Sequence, residues 1–434
     1  MGITLREISD ASLAARSPNF LNSMPILSVR ILDCHTTTRT RPQKMSNGFA
    51  IIVLIAVATS PSHAQIDRKP TGPYAVGRQN VFWIDSTRRD PTDTTRWREI
   101  SASIWYPASS RGKAGAEAPL PADWETRRLQ ALETKLGPDI GSAMREFVVH
   151  ARSDAPLLAG TSRLPVLLFT PGLSWLATDY SVLLEDLASH GYIVVGFSPT
   201  GFSDPVTFPD GRVVRRSLGN GASIASDQSY INDDAGFVMR KIPALDRYGF
   251  LHDRIDLSRI GAFGHSIGGA VSLALAARDT TIRGAINIDG DLMGDAREIR
   301  PHQPILLLNS DMPNVDEAPA EWPPKRVELT RDGLERSEKR RSDEWANVSS
   351  QSVSAHRVLI TGAEHLNFTD AALASVHTTS RAARWMKFGS IDPQRALTIT
   401  TELVRSFFDQ VFGRAGVDDV FTSAQHRFAE VKVE

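Results

Sequence analysis

Short apolar runs, each bounded by turn residues and followed by a stretch of helical period, recur from residue 164 onward. They are Pro165–Thr170, Tyr192–Phe197, Arg259–Gly264, Ala285–Ile288, Pro304–Asn309 and His356–Thr361. A strand buried on both faces reads as a continuous apolar run, whereas a half-exposed strand alternates. Between the runs, Asp179–Ser189 has helical period and stops at His190-Gly191. An Ala-rich segment runs to Arg278, and Thr398–Arg414 places Leu403, Phe407, Phe408 and Val411 on one side. Strands alternating with helices predict βαβ units, hence an α/β class with a mostly parallel central sheet flanked by helices. No internal repeat or low-complexity tract interrupts this pattern.

Upstream, Asn80–Asp85 and Arg98–Tyr106 alternate apolar with polar positions across the turn-rich Ser86–Arg96. They predict an antiparallel hairpin at a sheet edge. Residues 108–162 begin in Gly, Ala and Pro, then carry helical spacing over Trp124–Leu136 and Ile140–Val149. They read as an insertion, either a lid over a pocket or ordinary packing.

Before residue 65 the pattern changes. Phe49–Ala58 is an unbroken apolar run, shorter than the roughly 20 residues that span a bilayer. Arg39, Arg41 and Lys44 precede it and Ser62-His63-Ala64 follows. This predicts a secretory signal peptide cleaved after Ala64 and a secreted or periplasmic protein. Residues 1–64 are then leader, with 1–44 a candidate over-extended start, since Met24 and Met45 are alternative initiators. Residues 65–434 form a single domain.

Composition narrows the function classes. The chain has 434 residues, 41% hydrophobic and 23% charged, enough for a large core. A net charge of −1 without a basic stripe argues against a nucleic-acid partner. The mixed-sign Arg336–Glu344 reads as a solvated loop or helix face. The single cysteine, Cys34, lies in the leader, so neither an internal disulfide nor a cysteine metal site is expected. No H-E-x-x-H element is present, and no metal or cofactor is expected. Oligomeric state has no signal.

The chemistry concentrates in Gly264-His265-Ser266-Ile267-Gly268. This G-x-S-x-G element directly follows an apolar strand and directly precedes a helix. That is the context in which a serine on a sharp turn is lifted above the sheet edge as a nucleophile. The helix N-terminus and the Ile267 amide then face the developing oxyanion. This is the α/β-hydrolase fold, in which acid and histidine follow the serine in that order. Of the later histidines, His356 lies inside a strand and His302 precedes one. His377 and His426 follow no strand directly. His365 sits in the loop after the last strand and is the expected base. Asp289 and Asp311 each end a strand at the right edge, and strand position alone favours Asp311; Asp291 and Asp295 lie too far past the strand end. The second oxyanion donor should lie in Pro171–Trp175, where the Leu173 amide is the candidate and Gly172 admits close approach.

Thr170-Pro-Gly-Leu173, Tyr180 and Asp186-Leu-Ala-Ser-His-Gly191 resemble the oxyanion loop and following helix of the platelet-activating-factor acetylhydrolases of the plasma, isoform II type. Pro171 and Ser174 depart from that family's H-G-L-G. Gly264–Gly269 resembles its G-H-S-F-G-G, Gly284–Asp289 its acid-bearing strand, and His365 with Phe368 and Asp370 its H-x-x-x-x-D loop. The resemblance spans about residues 160–412. It implies Asp289 rather than Asp311 as the acid, and metal-free hydrolysis of short acyl esters, often of phospholipids. Residues 204–257 match poorly and form the second expected insertion, shaping the pocket; the two insertions are lid-like.

The resulting expectation is a secreted serine esterase with Ser266, His365 and Asp289 as triad and Leu173 and Ile267 as oxyanion donors. Its partner is a small-molecule ester or lipid. A secreted polyester or cutin-type esterase is the alternative within the same chemistry. A catalytically inactive α/β-hydrolase used as a binding module is the alternative of another class. Transient membrane-interface contact through Trp124, Trp175 and Trp322 is left open, since such residues are more often packed.

Overall fold

The computed structural model describes residues 66–109, 122–160, 162–217, 224–292, 297–311, 331–377, 388–414 and 420–434. The expected signal peptide lies outside them. Among the described residues no helix is long and apolar enough to cross a membrane.

The chain opens with the hairpin β1 (Ala75–Arg89) and β2 (Trp97–Ala108). Helices α1 (Ala122–Leu136) and α2 (Pro138–Ala143) and the short strand β3 (Arg152–Ser153) follow. The sheet core begins with β4 (Leu164–Thr170), α3 (Ser181–Ser189) and β5 (Ile193–Ser198). A small hairpin, β6 (Val206–Thr207) with β7 (Val213–Val214), leads to α4 (Ile224–Tyr248). Next come β8 (Ile255–His265), α5 (Ile267–Arg278), β9 (Ile282–Ile288) and β10 (Ile305–Ser310). Then come α6 (Arg331–Ser349), β11 (Ala355–Ile360) and the single turn α7 (Ala371–Ala374). The chain closes with α8 (Pro393–Val411), α9 (Val420–Arg427) and β12 (Val431–Val433).

Ten strands form one sheet in the order β12-β11-β10-β9-β8-β4-β5-β2-β1-β3. The run from β11 to β5 is parallel, while β2 joins β5 antiparallel and β12 joins β11 antiparallel. Alternate residues of each strand feed two separate cores. Leu167, Phe169, Val194, Phe263, Ile286, Ile288, Leu306 and Leu308 face one side, with residues from α1, α2, α3, α8 and α9. Val166, Leu168, Val195, Ala262, Ala285, Ile305 and Leu307 face the other, with residues from α4 and α5. Burial on both faces is why these strands read as unbroken apolar runs.

The two stretches expected to be lid-like insertions have different structures. In the first, Leu129, Leu132, Leu136, Ile140 and Met144 are buried in the main core, and Arg128 makes a buried ion pair with Asp179 at 2.6 Å. Its helices are packed rather than free. The second contains α4, the crossover from β5 to β8, whose Ile231, Ala235, Val238, Met239 and Ile242 fall at helical spacing in the second core. Its helical part is thus a layer of the sandwich.

Candidate active site

All the expected site residues lie at the carboxyl ends of the parallel strands, where reactive groups collect in such sheets. β8 ends at His265, and Ser266 takes φ 56° and ψ −129° before α5 begins at Ile267. A non-glycine residue at positive φ is strained, a condition that persists where the surroundings over-determine it. Here they do. A Cβ on Gly268 would lie 2.1 Å from the Thr170 carbonyl oxygen, so strand and helix can meet this closely only with glycine there. Ile267 is the first residue of α5, and its N–H has no carbonyl one turn back within the helix.

Asp289 directly follows β9 and Asp311 directly follows β10. Only Asp289 reaches the histidine: its Oδ2 accepts from His365 Nδ1 at 2.6 Å. Ser310, the last residue of β10, donates its main-chain N–H at 2.9 Å and its hydroxyl at 2.8 Å to Asp289 Oδ1. Asp311 instead accepts the Gly362 N–H at 2.9 Å, fastening the start of the loop that carries His365. Asp291 faces Arg340 and Arg341 at 3.3 and 3.5 Å, and Asp295 lies outside the described residues. His356 stacks on Phe421 at the far end of the sheet.

The pair is asymmetric in exposure: the Asp289 carboxylate is 1% exposed and the His365 side chain 43%. Burial alone would raise the Asp289 carboxyl. The hydrogen bond from His365, the Arg341 guanidinium 3.8 Å away and the Ser310 N–H overcome it and hold the group well below the usual carboxylate range. Glu364 next door shows the opposite balance. Burial, together with the Asp289 and Asp311 carboxylates, pushes it up to about 8, so it adds little negative charge beside the pair at neutral pH.

The loop after β4 closes against the serine. A Cβ on Gly172 would lie 3.3 Å from Ser266 Cβ and 3.0 Å from His265 Nδ1. The N–H of Gly172 is committed to Tyr180 Oη at 3.1 Å and that of Ser174 to the Phe202 carbonyl at 2.9 Å. Leu173 lies between them, and among the described residues its N–H makes no hydrogen bond. Ser174 itself holds φ 71°. Its carbonyl accepts from Lys135 Nζ and its hydroxyl from Arg216 Nη1, so each expected insertion lends one cation to this loop.

Trp175 is 7% exposed and packs with Lys135 over its ring at 5.3 Å. Trp322 and the Trp124 side chain lie outside the described residues. No group of three or more His, Cys, Asp or Glu side chains suited to a metal occurs among the described residues.

Four contributors escaped the sequence reading. Arg341 lies in the segment read as a solvated face, yet its guanidinium reaches the acid. Lys135 and Arg216 gave no signal, because their partners are main-chain and hydroxyl groups of a distant loop. His265 passed as the variable position of G-x-S-x-G, although it is fully buried.

Sheet order, strained serine turn and strand-end His–Asp pair together are the architecture of an α/β-hydrolase. A ferulic acid esterase from Streptomyces cinnamoneus has a similar fold, with a TM-score of 0.61 and 24% identity over 80% of this chain and 94% of that one. The chain belongs to the family described as platelet-activating factor acetylhydrolase, isoform II, whose model matches residues 58–200 and 237–419. The unmatched interval falls mostly within the stretch that the sequence reading set apart. A probable 1-alkyl-2-acetylglycerophosphocholine esterase of Arthroderma benhamiae is 25% identical over 56% of this chain and 64% of its own length. Platelet-activating factor acetylhydrolases of Canis lupus familiaris and Bos taurus are 26% and 28% identical over 37% and 41% of this chain. The alignments span 43% and 46% of those two proteins.

Proposed function

We propose that this chain is an exported serine esterase that cleaves short acyl esters through an acyl-enzyme. The observation that carries the reading is the 2.6 Å hydrogen bond from His365 Nδ1 to the buried Asp289 carboxylate, beside a serine held at positive φ. With Nδ1 donating to Asp289, Nε2 presents its lone pair to the Ser266 hydroxyl. Ser266 Oγ attacks the acyl carbon and its proton passes to Nε2. The carbonyl oxygen takes up negative charge opposite the Leu173 and Ile267 N–H groups. Collapse breaks the acyl–oxygen bond, and the leaving alkoxide takes the proton from Nε2. Water then repeats the sequence on the acyl-serine, with His365 as base, and releases the carboxylic acid.

The preference for a short acyl group rests on the family and on the relative whose name specifies a 2-acetyl ester. A ladder of p-nitrophenyl esters of increasing acyl length, with 2-acetyl and long-chain phosphatidylcholines alongside, tests it. Turnover is expected to be highest for acetate and to fall along the ladder, with the 2-acetyl lipid preferred. A folded protein that hydrolyses none of them overturns the esterase reading; a preference for long chains or polyester overturns the substrate class.

A further inference from the structure

The loop after β4 and the loop bearing His365 are joined by a chain of hydrogen bonds through two buried side chains. The Gly172 N–H lies 3.1 Å from Tyr180 Oη, Tyr180 Oη lies 2.8 Å from His265 Nδ1, and His265 Nε2 lies 2.9 Å from the main-chain oxygen of His365. Tyr180 is 1% exposed and His265 0%.

Chemistry fixes the direction of every bond. A carbonyl oxygen only accepts, so His265 carries its hydrogen on Nε2. Burial, helped by His365 nearby, pushes the His265 imidazole down to about 3, which leaves Nδ1 a lone pair across the working pH range. Tyr180 must then donate its hydroxyl to Nδ1. Burial raises that phenol well above its ordinary value, so it keeps its proton. The phenolic oxygen, freed as an acceptor, takes the Gly172 N–H. The order runs Gly172 N–H to Tyr180, Tyr180 O–H to His265, His265 N–H to His365.

Each end of this chain touches one part of the proposed machinery. Gly172 precedes Leu173, the expected oxyanion donor. His265 precedes Ser266 on the strained turn. The His365 carbonyl belongs to the residue that would act as base, and the two imidazole rings lie 4.5 Å apart between centroids. The nucleophile's neighbour therefore grips the backbone of the base while the tyrosine grips the loop of the oxyanion donor.

We infer that Tyr180 and His265 are positioning residues that hold the oxyanion loop, the serine turn and the histidine loop in register. The inference rests on the esterase reading above. Both side chains are buried, so they act through the alignment of the groups they hold. A misalignment of about 1 Å at such groups costs up to about 10²-fold in rate.

Tyr180→Phe keeps the ring and its packing and removes both bonds of the hydroxyl. For p-nitrophenyl acetate, kcat is expected to fall by about 10- to 100-fold while KM stays within about twofold, because register affects the transition state more than substrate binding. His265→Gln, whose amide N–H can still reach the His365 carbonyl, should retain more kcat than His265→Ala at comparable melting temperature. The Tyr180→Phe and His265→Gln losses should combine to less than their product, since they interrupt one chain. Wild-type kcat in folded Tyr180→Phe overturns the inference, as do equal losses in the Gln and Ala variants. Wild-type protein that turns over no ester would instead overturn the esterase reading, so the two failures are distinguishable.

Discussion

Replacing Asp289 with asparagine exchanges one oxygen for an NH2 group, and the structure dictates which one. Oδ1 accepts the Ser310 main-chain N–H at 2.9 Å, and a backbone N–H can only donate. The oxygen of the new amide must therefore stay there, which turns its NH2 toward His365 Nδ1, where Oδ2 now accepts at 2.6 Å. An NH2 only donates, so the imidazole must offer Nδ1 as a lone pair and carry its hydrogen on Nε2. That tautomer cannot take the Ser266 proton. In a triad of this logic, the wrong tautomer costs about 10⁴-fold in kcat, about 5.5 kcal/mol of barrier. The fold should survive: packing is unchanged, and Arg341 keeps Asp291 at 3.5 Å. Asp311→Asn is the control. Asp311 accepts the Gly362 N–H, which an amide oxygen accepts equally well, so kcat should stay within about tenfold of wild type. The assay is kcat on p-nitrophenyl acetate with circular-dichroism melting of each variant. Folded Asp289→Asn within about tenfold of wild type, or the reverse ranking of the two variants, would refute the reasoning.

Other outcomes follow from the same geometry. Ser266→Ala and Ser266→Gly should both lose turnover by about 10³-fold or more. The glycine variant should nevertheless melt above the alanine one, because glycine relieves about 1 kcal/mol or more of strain at φ 56°; the opposite order of melting temperatures would argue against a strained turn. Acid stability should depend on His265: the unfolded chain takes up its proton below about 6.5 and the folded chain only near about 3. Stability is then lost as pH falls through that window, at up to about 1.4 kcal/mol per pH unit. Melting curves from pH 7 to 4 should be steeper for wild type than for His265→Gln, and parallel curves would contradict the assignment. EDTA should leave turnover unchanged, since the proposed nucleophile, base and oxyanion donors are all protein groups; loss on chelation restored by zinc or calcium would reverse that view.

Legibility in the sequence tracked burial. The six parallel strands announced themselves because both faces are covered, which leaves few polar positions to blur the run. Boundaries drifted where exposure begins: β8 starts at Ile255 rather than Arg259, because Asp256, Leu257 and Ser258 are partly exposed. β1 extends well beyond Asn80–Asp85 in both directions, where Arg78 and Gln79 on one side and Ser86–Arg89 on the other break the apolar alternation. Helix α4 went unrecognised although its buried stripe has period 3 to 4. Charged residues crowd its other positions, and Pro243 interrupts it. One of those charges, Asp234, is itself buried, paired with Arg98 and Arg88.

The candidate serine and histidine stood out in the sequence because strand and loop order leave few alternatives. The aspartate that contacts His365 was not readable from strand order alone, since two aspartates end adjacent strands at the same edge. Ser310 and the path of the His365 loop distinguish them, and both are tertiary facts. The resemblance to a family pointed to the residue that contacts His365. Contributions from Arg341, Lys135, Arg216 and His265 depend on contacts between residues far apart in the chain, which no local pattern encodes.

The proposed esterase chemistry turns on Ser266 being an activated nucleophile. The most direct measurement is labelling of the folded protein with a fluorophosphonate, read by intact mass and by peptide mapping. A single adduct per chain is expected on the peptide containing Gly264–Gly268, at Ser266, formed in step with loss of esterase turnover and absent from Ser266→Ala. A folded protein that takes no label, or takes it on another residue while Ser266→Ala still hydrolyses esters, would contradict it.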